Sequence, residues 1–429
     1  MFGADANTMR IAKPLTALLM LAMLVLMLLL TPLPGRAGDK KKKSATAETP
    51  QVKKPELDVS KLVWPSPPKI ARIRYVTYFA GMRLDEAVPQ AASKQKWMDR
   101  LAGMKPEDDP KSKQHLMPYQ LLAPHGIAVD SKGQVYVADQ KVGGVFIFNT
   151  ETREVKMIRN GFEGSFKLIN GVAIDDDDRI FVSDGKLHRI SVFNQKLEQV
   201  DEIEEGLVDP VGLAIDKENR ILYVADTQQD QVIAYDADTF KLLRRIGSGG
   251  KHELSTPGDF SGPTGVAVDQ DGNLYVTDTM NYRVEVFDAD GKFIKPFGRH
   301  CDMPGCFAHP KGISVDGDGH IWVADSMIDL LQVFTKDGEL MGFLGGTGHY
   351  PGQFDALANV FVDKQNRVFT AEQYPGRMQM FRYITDAEAE KLKTEKEEQR
   401  GKDRARVSDA STSQPAVTKA PEAKADVKQ

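Results

Sequence analysis

The sequence predicts an all-β fold, a closed ring of six four-stranded antiparallel blades, and two observations carry that expectation. The first is local. From Pro263 to Phe287 the chain reads as three short strands: apolar runs at Val266–Val268 and Leu274–Val276, and a third run ending at Phe287. Gly272 and Asn273, between the first two runs, tolerate positive φ, as a tight hairpin turn requires. Neither face of those runs is consistently polar, so such strands need cover on both sides. The second observation is repetition. The same phrase occurs six times, marked by Gly126, Gly171, Gly212, Gly265, Gly312 and, in the glycine's place, Asn359, at steps of 45, 41, 53, 47 and 47 residues. A first strand follows each marker and ends in Asp130, Asp175, Asp216, Asp269, Asp316 or Asp363. The second strands end in Asp139, Asp184, Asp226, Asp278, Asp325 and Glu372, and the third in Phe148, Phe193, Tyr235, Phe287, Phe334 and Phe381. Repeats of about 40–50 residues with three or four strands each signal a β-propeller. One such unit cannot cover both its apolar faces, so the units must stack around a ring.

The phrase resembles the NHL-repeat family of six-bladed propellers, over roughly Ile70 to Arg382. Pro263 to Asp269, Leu274 to Asp278 and Asn281 to Phe287 lie close to that family's consensus. The resemblance implies a fold and, here, a bacterial envelope type, but propellers host many activities. Enzymes of this architecture include calcium-dependent lactonases and zinc- or magnesium-dependent lyases, and kinship with them would imply several His, Glu or Asp converging on the axis. Pro124, His125 and Gly126 look like the motif of streptogramin-type lyases, but this chain has it once. A catalytic metal needs about three protein ligands, more than one His can give.

Taken in order, residues 1–38 read as a signal peptide or membrane anchor. Arg10 and Lys13 precede an apolar run from Leu15 to Leu30, and Pro32, Pro34 and Gly35 then break any helix. Gly35 to Ala37 fits the end of a cleaved signal. The run is short of the ~20 residues of a comfortable span. Arg36 and Lys40 to Lys43 pull the other way, because positive charge tends to stay in the cytoplasm. A cleaved signal, an uncleaved anchor with an exported domain, and a cytoplasm-facing domain therefore stay open, with export favoured and a periplasmic or inner-membrane location expected. Residues 39–61 are Lys- and Pro-rich and read as a disordered linker.

The propeller is expected over 62–384. Blade six has no fourth strand after Phe381, so the β-branched and aromatic segment Ile70 to Phe79 is expected to complete it and seal the ring. A helical insertion is expected at about 82–120, with Trp97, Met98 and Leu101 as apolar contacts. Thr385 and Glu388 form a capping box opening a charged helix over 385–400, followed by a disordered tail over 401–429. Hydrophobic residues make up 41% and charged residues 27%, ordinary for a soluble domain. The net charge of −5, with basic residues clustered outside the ring, argues against nucleic acid.

What recurs in every blade is most simply architecture, so the repeated acids are expected to be turn and hydrogen-bonding devices. Function should sit where the repeats disagree. One such place is the residue before the marker: His125, Asn170, Val211, Thr264, Lys311 and Ala358. Its polar members, His125, Asn170, Thr264 and Lys311, are the candidate binding residues at the mouth of the central channel. The other is the loop leading into a blade. Pro257 to Phe260, Pro304 to Phe307 and Pro351 to Phe354 recur at intervals of 47, and the middle copy holds both cysteines, Cys301 and Cys306. An exported chain would oxidise them to a disulfide. A metal site with His300 and His309, or free thiols, are the alternatives. No nucleophile elbow, phosphate loop or paired-cysteine zinc arrangement occurs. The expectation is a monomeric, cofactor-free, non-enzymatic scaffold that binds an envelope protein or peptide on the loop face, with membrane contact through an uncleaved N-terminal segment. The alternative is a metal-dependent lyase or hydrolase acting in the channel at His125, Asn170 and Lys311.

Overall fold

A computed structural model of the chain describes residues 58–66, 71–81, 120–161, 164–249 and 256–412, all within the compact unit Leu57–Gln429. The segments read as signal or anchor, most of the linker, the helical insertion and residues 413–429 of the tail lie outside the described residues. Among the described residues, no helix is long and apolar enough to cross a membrane.

Five four-stranded sheets and one of five strands make the ring. In each of the first five, the four strands follow one another in the chain, innermost first. Blade four shows the pattern: Pro263–Val268, Leu274–Asp278, Arg283–Phe287 and Phe293–Phe297. Its two middle strands are buried throughout, and its outer strand alternates between half-buried and exposed. That is the burial expected of a sheet covered by neighbours on both faces, with only its outer edge in water. The apolar clusters accordingly span adjacent blades. Tyr223 and Val232 of blade three pack with Val276 and Phe287 of blade four.

Blade six closes as expected. Ile73–Phe79 pairs antiparallel with Arg377–Tyr383, from Ile73 opposite Tyr383 to Phe79 opposite Met378. A further strand not expected from the sequence, Val63–Trp64, just past the linker, adds to its outer edge. Trp64 meets Phe381 edge-on with ring centroids 5.9 Å apart. Sealing the ring between chain ends removes an open edge.

Two expectations need correction. The repeat glycines do not precede the inner strands but lie inside them. In blade four the strand begins at Pro263, and its register slips at Gly265. The reason is contact between blades: a Cβ on Gly265 would sit 2.2 Å from the Lys311 carbonyl, and one on Gly212 would sit 2.3 Å from that of Thr264. Inner strands approach so closely that a side chain there would collide with backbone. The C-terminal helix, α1, is also longer than expected. The capping box forms, with the Glu388 N–H donating to Thr385 Oγ1 at 3.3 Å and the Thr385 N–H to Glu388 Oε2 at 3.2 Å. But α1 spans Asp386–Thr412, so residues 401–412, read as disordered, are helical. Arg382 bonds Glu388, and Arg72 bonds Asp386, tying its first turn to blade six.

Candidate binding face and channel mouth

Antiparallel order fixes which loops share a face. Each inner strand runs away from its lead-in loop, and the second strand returns. The lead-in loops therefore lie on one face with the turns between second and third strands, and the remaining turns lie on the other. The second-strand acids lock this loop face together. Asp139 accepts N–H groups from Leu122 and Ala123 of the lead-in loop and from Lys141 and Val142 of the turn. Asp184 does the same for Lys167, Leu168, Lys186 and Leu187. The first-strand acids cap turns at the far end; Asp269 accepts from the N–H groups of Asp271 and Asn273. Both sets are structural, as repetition implied.

A cavity of about 700 Å³ runs along the axis. His125, Asn170, Thr264 and Lys311 line it at the loop face, with Val211 and Ala358 completing their ring. The His125 Nδ1 lies 3.1 Å from the Asn170 carbonyl, and the Thr264 hydroxyl 3.4 Å from the Lys311 carbonyl. Burial, reinforced by the Lys311 charge, pushes the His125 imidazole down to about 4, so it is neutral at pH 7. Burial also lowers the Lys311 ammonium.

A second ring at this mouth was missed in the sequence. It is the residue after each second-strand acid: Gln140, Gly185, Thr227, Thr279, Ser326 and Gln373. The side chains of Gln140, Thr227, Thr279 and Gln373 reach into the neighbouring blade. Gln140 Nε2 donates to Asn170 Oδ1 at 2.6 Å, Thr227 Oγ1 to the Pro263 carbonyl at 2.7 Å, and Thr279 Oγ1 to the Pro310 carbonyl at 2.8 Å. Variation among small and polar types at a fixed offset was the signal.

The mouth is poorly suited to a divalent cation, because among the described residues its one inner-ring imidazole shares the ring with an ammonium, and the Asp209 carboxylate lies apart from them, against Gly185 and Asn170. Among the described residues the one group of three potential ligands is Asp175, Asp176 and Asp177, at the opposite end. Arg220 already pairs with all three.

The loop face is also uneven. Met280, Met303, Met327, Tyr350 and Tyr374 are 57–73% exposed, more than any other large apolar side chain described. All five lie in loops of this face, and all belong to blades four to six. Met280, Met327 and Tyr374 share one repeat position; in blades one to three it carries Lys141, Lys186 and Gln228. Met303 and Tyr350 share another, in the lead-in loops. Cys301 and Cys306 are joined in a disulfide in the same loop as Met303, away from the channel wall.

A family profile described as SMP-30/Gluconolactonase/LRE-like region matches residues 170–308 and 259–344, and one described as NHL repeat matches 121–148. Human NHL repeat-containing protein 2 is 30% identical over 93 residues, which is 20% of this chain but only 13% of that protein. A protein of unknown function from Bacteroides thetaiotaomicron superposes with a TM-score of 0.50 at 17% identity, covering 62% of this chain and 70% of its own. Virginiamycin B lyase from Staphylococcus aureus superposes with a TM-score of 0.45 at 15% identity, over 61% of this chain and 96% of its own. Likeness at these identities concerns the fold, not an activity. With its six repeats, profile matches and closed ring, the chain is a six-bladed β-propeller of the NHL-repeat type.

Proposed function

We propose that this propeller is a non-enzymatic binding platform of the bacterial envelope, and that a protein partner docks on the loop face of blades four to six. One observation carries the reading: the five most exposed large apolar side chains among the described residues gather there, three of them at a repeat position that the other half of the ring fills with Lys141, Lys186 and Gln228. Architecture repeats, so a feature confined to half the ring has another cause. Methionine and tyrosine are also types enriched at interfaces, methionine because it repacks around varied partners. The apolar run Leu15–Leu30 and the oxidised Cys301–Cys306 pair support the envelope location. The enzymatic alternative is weaker because the inner ring offers one imidazole, His125, in company with the Lys311 ammonium.

The test compares the parent chain with Met280→Ser/Met327→Ser/Tyr374→Ser, which alters only exposed turn residues. Crosslinking in membrane extract should give a specific adduct with the parent, lost or at least tenfold weaker with the triple variant at unchanged melting temperature. An adduct unaffected by the substitutions, or none with either chain, overturns the docking face.

A further inference from the structure

We infer that the channel mouth is a carboxylate-binding site, centred on the Lys311 ammonium, with the His125 imidazole on the same ring. The argument starts from hydrogen-bond accounting around the inner ring. Asn170 is engaged at both ends, its Oδ1 with Gln140 Nε2 at 2.6 Å and its Nδ2 with the Pro210 carbonyl at 3.4 Å. The Thr264 hydroxyl meets that of Thr279 at 2.7 Å. Val211 and Ala358 have nothing to satisfy. Lys311 is the exception. Its carbonyl is held by Thr277 Oγ1 at 2.6 Å, yet among the described residues its ammonium has neither a hydrogen bond nor an ion pair.

A half-buried ammonium without a partner is costly, since it has lost water and gained no counter-charge. Among the described residues no acid pairs with it. Asp325 spends its oxygens on the N–H groups of Ala308, His309 and Met327. Asp209 stands two blades away, beside Asp226 and His188. Burial lowers the imidazoles of His125 and His309, and the Lys311 charge falls on both and lowers them further. Such a centre of uncompensated positive charge, at the mouth of a cavity of about 700 Å³ whose acids, Asp175, Asp216 and Asp316 among them, line the opposite end, favours a small ligand with a single negative charge held at the mouth. One cation matches a carboxylate; a phosphate dianion would leave a charge unpaired. The neutral imidazole adds chemistry of its own. Its Nδ1 faces the Asn170 carbonyl and so carries the proton, which leaves Nε2 able to take one up as an anion arrives. Binding and protonation of His125 are then linked.

The inference does not depend on the apolar crescent, and its test needs no protein partner. The full chain is titrated with N-acetylglycine, while the ring resonances of His125 are followed by NMR. N-acetylglycinamide serves as the uncharged control and inorganic phosphate as the competing anion. A saturable shift with the acid is expected, with a rise in the His125 pKa. The amide should give none, and the response should fall at least tenfold in Lys311→Met and return in Lys311→Arg. Equal shifts from acid and amide, no saturable shift from the acid, or an undiminished response in a folded Lys311→Met chain would overturn the site. Tighter saturation by phosphate would overturn the carboxylate assignment.

Discussion

The lead-in loops of blades five and six make the same bends by different means. In blade six the Phe354 N–H donates to the Gly346 carbonyl and the Gly352 N–H to Gln379 Oε1, whose amide returns a bond to the Gln353 carbonyl. Forty-seven residues earlier every bond recurs: Phe307 to Arg299, Gly305 to Gln332, and Gln332 to Cys306. The brace differs. In blade six Arg377 reaches from the third strand to the carbonyls of His349 and Gln353 while paired with Glu372. In blade four Arg283 does likewise for Thr256 and Asp259, paired with Asp278. Blade five has Leu330 at that position, and there the chain places Cys301–Cys306. The disulfide stands in for an arginine clamp. One fold of loop can thus be held by a charge network or by a covalent bond, and only the second depends on redox conditions.

That equivalence can be broken at three points. The largest effect should come from what both loops share. Phe307 and Phe354 are fully buried plugs, and either Phe→Ala change should cost about 3–5 kcal/mol in chemical denaturation. A loss under about 1 kcal/mol would mean that the braces, not the plugs, hold the loops.

The next effect separates blade four from its sisters. There Glu285 replaces the glutamines Gln332 and Gln379, taking the Gly258 N–H on both oxygens at 3.1 and 3.2 Å. Burial pushes its carboxyl up to about 7, with the neighbouring Asp278 and Asp259 adding to the rise against the pull of Gly258 and Arg283. A carboxyl raised on folding stabilises below its unfolded pKa of about 4.3, and that contribution is lost as pH climbs through the folded value. Glu285→Gln should therefore leave stability at pH 4 nearly unchanged and raise it at pH 8 by on the order of 1–3 kcal/mol. Parallel stability–pH curves for parent and variant would show that folding leaves the Glu285 carboxyl unshifted.

The smallest effect tests the substitution of one brace for the other. Cys301→Ser/Cys306→Ser opens a short loop and should cost at most about 2 kcal/mol, because backbone bonds already close it. Adding Leu330→Arg to that variant should recover part of the loss, since Asp325 occupies the place of Asp278 and Glu372. In the oxidised parent the same change should be neutral or harmful. Recovery of equal size in both backgrounds would sever the link between clamp and disulfide.

Much of this was legible in the residues. The six markers, the terminal acids and the aromatics gave blade number and strand order, because stacked units must repeat the same solution to the same packing problem. The missing fourth strand of blade six pointed to Ile70 to Phe79, within which the strand Ile73–Phe79 forms. The lead-in loops were visible as three copies, and the odd cysteine-bearing copy stood out. Its explanation did not, since Arg283, Leu330 and Arg377 lie in strands read only as apolar runs. Val63–Trp64 was hidden by its proline-rich surroundings, and the length of α1 by a composition with few apolar residues.

Sequence alone determined the ring, since local alternation and a period of 41 to 53 residues leave one economical way to cover both faces of each sheet. Tertiary structure decided what the ring carries. Only closure brings Lys311 of blade five near His125 of blade one, about 190 residues apart, without a carboxylate between them. Only closure gathers Met280, Met303, Met327, Tyr350 and Tyr374 onto one half of one face. Charge balance and exposure depend on which side chains meet across blades, and a linear phrase fixes its own fold without fixing its neighbours.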